Sequence, residues 1–88
     1  MSPTPSVEHV PAKTRFEFGH SENPAVLEYE ITGTEIVIHH TFVPEEFRGQ
    51  GIAARLTKAA VEYATQHQLT IIPECSYVAA YLKRHWNS

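Results

Sequence analysis

The chain has 88 residues, 42% hydrophobic and 19% charged, with 7 Lys+Arg against 10 Asp+Glu and a formal charge of −3. That length supports a single core; the composition excludes collagen and a wholly disordered chain, and the acidic balance excludes the broad basic face of a nucleic-acid binder. No apolar run approaches the roughly 20 residues needed to cross a bilayer, and the N-terminus lacks a signal core, so a cytoplasmic protein without a membrane partner is expected.

Residues 1–12 hold three of the six prolines and few large side chains, which predicts a flexible tail ahead of a domain over residues 13–88. Over residues 13–19, Phe16 and Phe18 alternate with Arg15 and Glu17, the period of a half-buried strand. A turn through Ser21, Glu22, Asn23 and Pro24 leads to a second strand over residues 25–32, with Leu27, Tyr29 and Ile31 on one face. Thr32-Gly33-Thr34 then predicts a hairpin into a third strand over residues 35–42, which Pro44 must end because it has no N–H for a ladder.

From Gly51, the spacing of Ile52, Leu56, Ala59, Ala60 and Tyr63 predicts an amphipathic helix that fades near His67. A short buried strand over residues 69–72, closed by Pro73, follows as the parallel partner that such a helical crossover allows. A last helix over residues 76–85 would turn Val78, Tyr81, Leu82 and His85 or Trp86 toward the sheet. The expected class is α/β (α+β): a small mixed sheet of three antiparallel strands, then helix, parallel strand and helix.

The informative segment is the strand-to-helix connection Arg48-Gly49-Gln50-Gly51. Its glycines let backbone approach a ligand, and the first helical N–H groups have no intrahelical partners. With the positive end of the helix dipole they suit a phosphate or pyrophosphate, and Arg48 adds charge at the rim; the alternative is a tight loop and nothing more. There is no Gly-x-x-x-x-Gly-Lys-Ser/Thr run, and the chain is too short for the doubly wound sheet of a dinucleotide-binding domain, so a P-loop hydrolase and a dehydrogenase are both disfavoured. The six histidines form no metal-binding spacing and no cysteine partners Cys75, so no metal is expected. Glu45 and Glu46 read as solvated charges, and Lys83 and Arg84 as a basic last turn of the final helix or contacts to an outer phosphate.

Arg48-x-x-Gly51-x-Ala53, after a strand ending Val43-Pro44, resembles the Gln/Arg-x-x-Gly-x-Gly/Ala motif of GNAT-type N-acetyltransferases. His40-Thr41 before it and Pro73-Glu74-Cys75 after it resemble a subgroup of short GNAT-like proteins, the match covering residues 14–86. The resemblance implies that acetyl-CoA (coenzyme A) binds, its pantetheine arm along Thr41, Phe42 and Val43 and its pyrophosphate on Arg48, Gly49, Gln50, Gly51, Ile52 and Ala53. It further implies acetyl transfer to a primary amine whose identity the chain leaves open.

The chain departs from larger members in two respects. Only residues 20–24 stand where helices shape the acceptor site, and Leu82 occupies the position of a tyrosine acid. Tyr81, one residue earlier, is rotated by about 100° on a helix.

Cys75, at the start of the last helix, is either a nucleophile favoured by the helix field or a small buried hydrophobe. Direct transfer would use His40 or Glu74 as base, and strand alternation predicts that His39 and His40 face opposite sides. A non-catalytic CoA or acyl-CoA binding module and a protein interaction domain using the proline-rich tail and Trp86 are the alternatives. A monomer or a homodimer, which would complete a shallow groove, is expected.

Overall fold

The computed structural model describes residues 6–19 and 22–85. Five strands, β1 (Val7–Val10), β2 (Arg15–Phe18), β3 (Ala25–Thr32), β4 (Glu35–Phe42) and β5 (Thr70–Pro73), form one sheet in sequence order. The first four are antiparallel neighbours and β5 pairs parallel to β4. Two helices, α1 (Ile52–Gln66) and α2 (Ser76–His85), flank β5 in the chain. The three expected antiparallel strands, both helices and the parallel strand are present.

The strand β1 lies where the proline content predicts a tail. Pro11 does not prevent this strand; it ends it, opening a single 3-10 turn whose last link is the Thr14 N–H donating to Pro11 O at 3.0 Å. The reversal sets Val7 opposite Phe18 and His9 opposite Phe16. His9 then stacks flat on Phe16, with ring centroids 4.3 Å apart, and its Nε2 meets the hydroxyl of Tyr29 at 2.6 Å. Tertiary contacts therefore specify this strand, because Val7-Glu8-His9-Val10 puts one valine on each face and carries no clean apolar–polar alternation.

The core lies between one face of the sheet and the helices. Phe16, Phe18, Ala25, Leu27, Tyr29, Ile36 and Ile38 from the sheet meet Ile52, Leu56, Ala60 and Ala64 of α1 and Val78 of α2. The α1 set recurs every four residues, which keeps it on one helical stripe. In α2, Val78 is buried and Leu82 half-buried against the core, but His85 is exposed and stacks on Tyr81 at 4.4 Å instead of facing the sheet. Trp86 lies outside the described residues. Ile31 also departs from expectation: it is 45% exposed, because it stands at the hairpin end of β3, opposite Ile36 and three residues before the Thr34 turn.

One irregularity positions the site. Along β3 and β4, Tyr29 pairs with Ile38 but the next residue back, Glu28, pairs with His40, leaving His39 as the extra residue of a β-bulge. Ladder alternation resumes one residue out of phase, so Thr41 pairs with Leu27 on the helix-covered face. His40 pairs with Glu28 on the opposite, solvent-facing side, and both histidines are exposed.

Candidate functional site

After Pro44, a 3-10 turn (Glu45–Phe47) drops Phe47 edge-on against Phe18, with centroids 5.5 Å apart. The chain then passes through Arg48 in extended geometry to Gly49 at φ +80° and Gly51 at φ +72°. Both glycines occupy the left-handed region that side chains rarely adopt, and a Cβ built at either meets no atom within 4 Å. Glycine is therefore favoured by backbone conformation, and the space above the loop is open.

The first intrahelical bond of α1 runs from the Arg55 N–H to Gly51 O at 3.1 Å. The amides of Ile52, Ala53 and Ala54 precede it, and no side chain caps this end. Three N–H groups and the positive end of a 15-residue helix thus converge on the open loop, an arrangement suited to an anion. Arg48 lies along its rim, with Nε donating to Val43 O at 3.3 Å.

A cleft of about 190 Å³ opens here, walled by Val43, Arg48, Gly49, Gly51, Ile52 and Ala53 and, from α2, by Tyr77. Six of the expected cofactor-binding residues thus meet in one cleft. Gln50 is not among its walls, and its side-chain amide donates back to Glu46 O at 3.2 Å. Thr41 and Phe42 lie one step upstream on β4, Phe42 being 39% exposed. A second hollow between Ala54, Tyr77, Ala80, Tyr81, Arg84 and His85 continues the groove along the α1–α2 seam, sharing Tyr77 with the first.

The second component is a fork between two strands. Pairing of β4 with β5 ends at Ile38 opposite Pro73, while β4 runs on to Phe42 and the other strand turns into α2. The N–H groups of Glu74 and Cys75 both donate to Ile38 O, each at 3.0 Å, which fixes that turn. Cys75 is half-buried, and its Sγ–H donates to Thr41 Oγ1 across the fork at 3.5 Å.

Burial pushes the Cys75 thiol up, but the Thr41 hydroxyl, the backbone of Val78 and Tyr77 in the first turn of α2 and the backbone of Thr41 outweigh it. The result lies below the usual thiol value. Glu74 is exposed beside it, and His40 is on the far face of the sheet. Tyr81 stacks on His85 along the helix seam.

Sequence pattern did not single out Tyr77. It is 41% exposed on the first turn of α2, where no burial periodicity marks it, and only its offset of two from Cys75 could have signalled it.

Comparison with known proteins bears on the family and the fold. The family model described as GCN5-related N-acetyl-transferase matches residues 15–87. The chain is 37% identical to Protein NATD1 of Xenopus tropicalis over 90 residues, covering 97% of this chain and 83% of that protein. It is likewise 37% identical to Protein NATD1 of Homo sapiens over 82 residues, covering 90% and 73%. The NMR solution structure of a GCN5-like protein from Staphylococcus aureus superposes with a TM-score of 0.75 at 33% identity, covering 93% of this chain and 81% of that one. With its sheet, its glycine loop ahead of α1 and a family match over most of its length, the chain belongs to the GCN5-related N-acetyltransferase family.

Proposed function

We propose that this chain binds acetyl-CoA in the cleft at the start of α1 and transfers the acetyl group to a primary amine, taking it first onto Cys75. One observation carries the reading: the thiol sits at the β4–β5 fork, tied by a hydrogen bond and by chain position to two segments that wall the cleft. It bonds to Thr41, two residues from Val43, and precedes Tyr77 by two residues, Val43 and Tyr77 both lining the cleft. The open αL glycines and the free amides of Ile52, Ala53 and Ala54 fit a pyrophosphate, with Arg48 beside it.

The bound thioester would supply an activated acetyl carbonyl. The Cys75 thiolate attacks that carbon, forming a C–S bond as the bond to coenzyme A breaks, and the departing thiolate takes up the proton that Cys75 released. The amine then attacks the acetyl-Cys75 carbonyl: a C–N bond forms, the bond to Cys75 breaks, and the amine's proton returns to the Cys75 sulfur.

Mass spectrometry of protein incubated with acetyl-CoA should detect an adduct of about 42 Da on Cys75, the mass of one acetyl group replacing a proton. A Cys75→Ala variant that retained full acetyl transfer would rule out the covalent route and favour direct attack.

A second reading, a coenzyme A binding module that relies on a partner for its acceptor surface, is favoured by the connection between the first two strands, β1 and β2, which is a single 3-10 turn and not a helical layer. It predicts binding of coenzyme A without an adduct and without turnover of polyamines, lysine peptides or aminoglycosides.

A further inference from the structure

We propose that Thr41 is a positioning residue for Cys75, delivered to the thiol by the His39 bulge and serving as hydrogen-bond partner to both its protonated and its ionised form. The proposal rests on the reading of Cys75 as the acetyl-accepting group and adds to it the device that holds that group.

The argument begins with ladder parity. Ile36 and Ile38 are fully buried on the helix face of β4. In an unbroken ladder Thr41, three residues beyond Ile38, would point to the opposite face. The bulge inserts one residue between Ile38 and His40, so Thr41 pairs with Leu27, which is two residues from Tyr29, the partner of Ile38. Leu27 and Tyr29 share a buried face, and Thr41 therefore shares it too.

That turn brings Oγ1 within 3.5 Å of Sγ, across the gap where β4 and β5 have stopped pairing. A threonine hydroxyl both donates and accepts, so it takes the S–H bond of the thiol and, by rotating its proton, donates to the thiolate without moving its oxygen. Its β-branched side chain has few rotamers to lose. From the other side, α2 presents the backbone of Tyr77 and Val78, so the sulfur is held between a strand hydroxyl and a helix N-terminus. The groups acting on the thiol are these hydrogen-bonding ones and burial, with no charged side chain among them.

Cys75 is the chain's one cysteine, so its alkylation can be followed without background. The test measures the iodoacetamide rate against pH for the wild type, Thr41→Val, Thr41→Ala and Thr41→Ser, each checked for folding by circular dichroism. Loss of one hydrogen bond to a charged group predicts alkylation about tenfold slower at neutral pH in the valine and alanine variants. Their midpoints should move to higher pH with the high-pH plateau kept, and serine should restore the wild-type midpoint.

An unchanged midpoint in folded Thr41→Val or Thr41→Ala, or a serine variant that behaves like valine, would overturn the proposal. The same proteins incubated with acetyl-CoA separate the two ideas. A wild type that shows the shifted profile relative to valine yet never gains an acetyl adduct sinks the nucleophile reading and leaves the Thr41–Cys75 coupling supported.

Discussion

Replacing Gly51 separates the conformational role of the loop from its role as an anion cradle. Gly51 stands at φ +72°, so an L-alanine there is held in a left-handed conformation at a cost of about 1–2 kcal/mol. No atom lies within 4 Å of the added Cβ, so no steric clash adds to that cost. In a domain of this size each kcal/mol lowers Tm by about 4–8 °C, and Gly51→Ala should melt roughly 5–15 °C below the wild type. Asparagine tolerates the same conformation far better, so Gly51→Asn should regain most of the loss. Both side chains nevertheless enter the open cleft beside the amides of Ile52 and Ala53. Thermal unfolding without ligand reads the first effect. Isothermal titration with coenzyme A, at a temperature where all three proteins are folded, reads the second. Coenzyme A binding should weaken in both variants, although their stabilities differ. An alanine variant as stable as the wild type would refute the conformational argument, and two variants that bind coenzyme A as the wild type does would refute the cradle.

Three other outcomes follow from the packing. Burial, then the charge of His67, holds the His9 imidazole below its ordinary value of 6.5, so folding favours the neutral ring. The unfolded chain therefore takes up the proton first, and stability present above 6.5 declines as pH falls from there toward the lower folded value. Urea midpoints at about pH 7.5 and about pH 5.5 should differ more in the wild type than in His9→Phe, and equal differences would contradict the assignment. Leu56, fully buried in the N-terminal half of α1, should cost about 2–5 kcal/mol on truncation to alanine, whereas Ile31→Ala at the exposed strand end should change stability by about 0.5 kcal/mol or less; chemical denaturation compares them. Tyr77→Ala should leave the melting temperature nearly unchanged, since the side chain is 41% exposed, but weaken coenzyme A binding because Tyr77 walls both halves of the groove.

The features legible from sequence are those that depend on short-range chemistry. Glycines at 49 and 51 announce a loop with unusual backbone angles before a helix, and Pro73 followed by Val78 and Leu82 at helical spacing puts Cys75 at a helix start. These inferences need no knowledge of partners, and the cleft and the fork bear on the same residues. The features missed depend on what lies across the sheet. His9 reads as a tail residue until Tyr29 and Phe16 stand beside it.

The His39 bulge had one faint mark in the sequence. The inward residues Ile36 and Ile38 are even-numbered and Thr41 is odd, but apolar residues also stand at odd Val37 and at even Phe42, which continues the parity of the isoleucines, and conceal the switch. Alternation alone therefore separates His39 from His40 while leaving Thr41 apparently on the wrong side. Once the extra residue is counted, the pair that shares the site is Thr41 and Cys75, residues 34 positions apart. The bulge thus joins the two conspicuous motifs, His40-Thr41 and Pro73-Glu74-Cys75, and assigns the contact to the threonine of the first and not to its histidine.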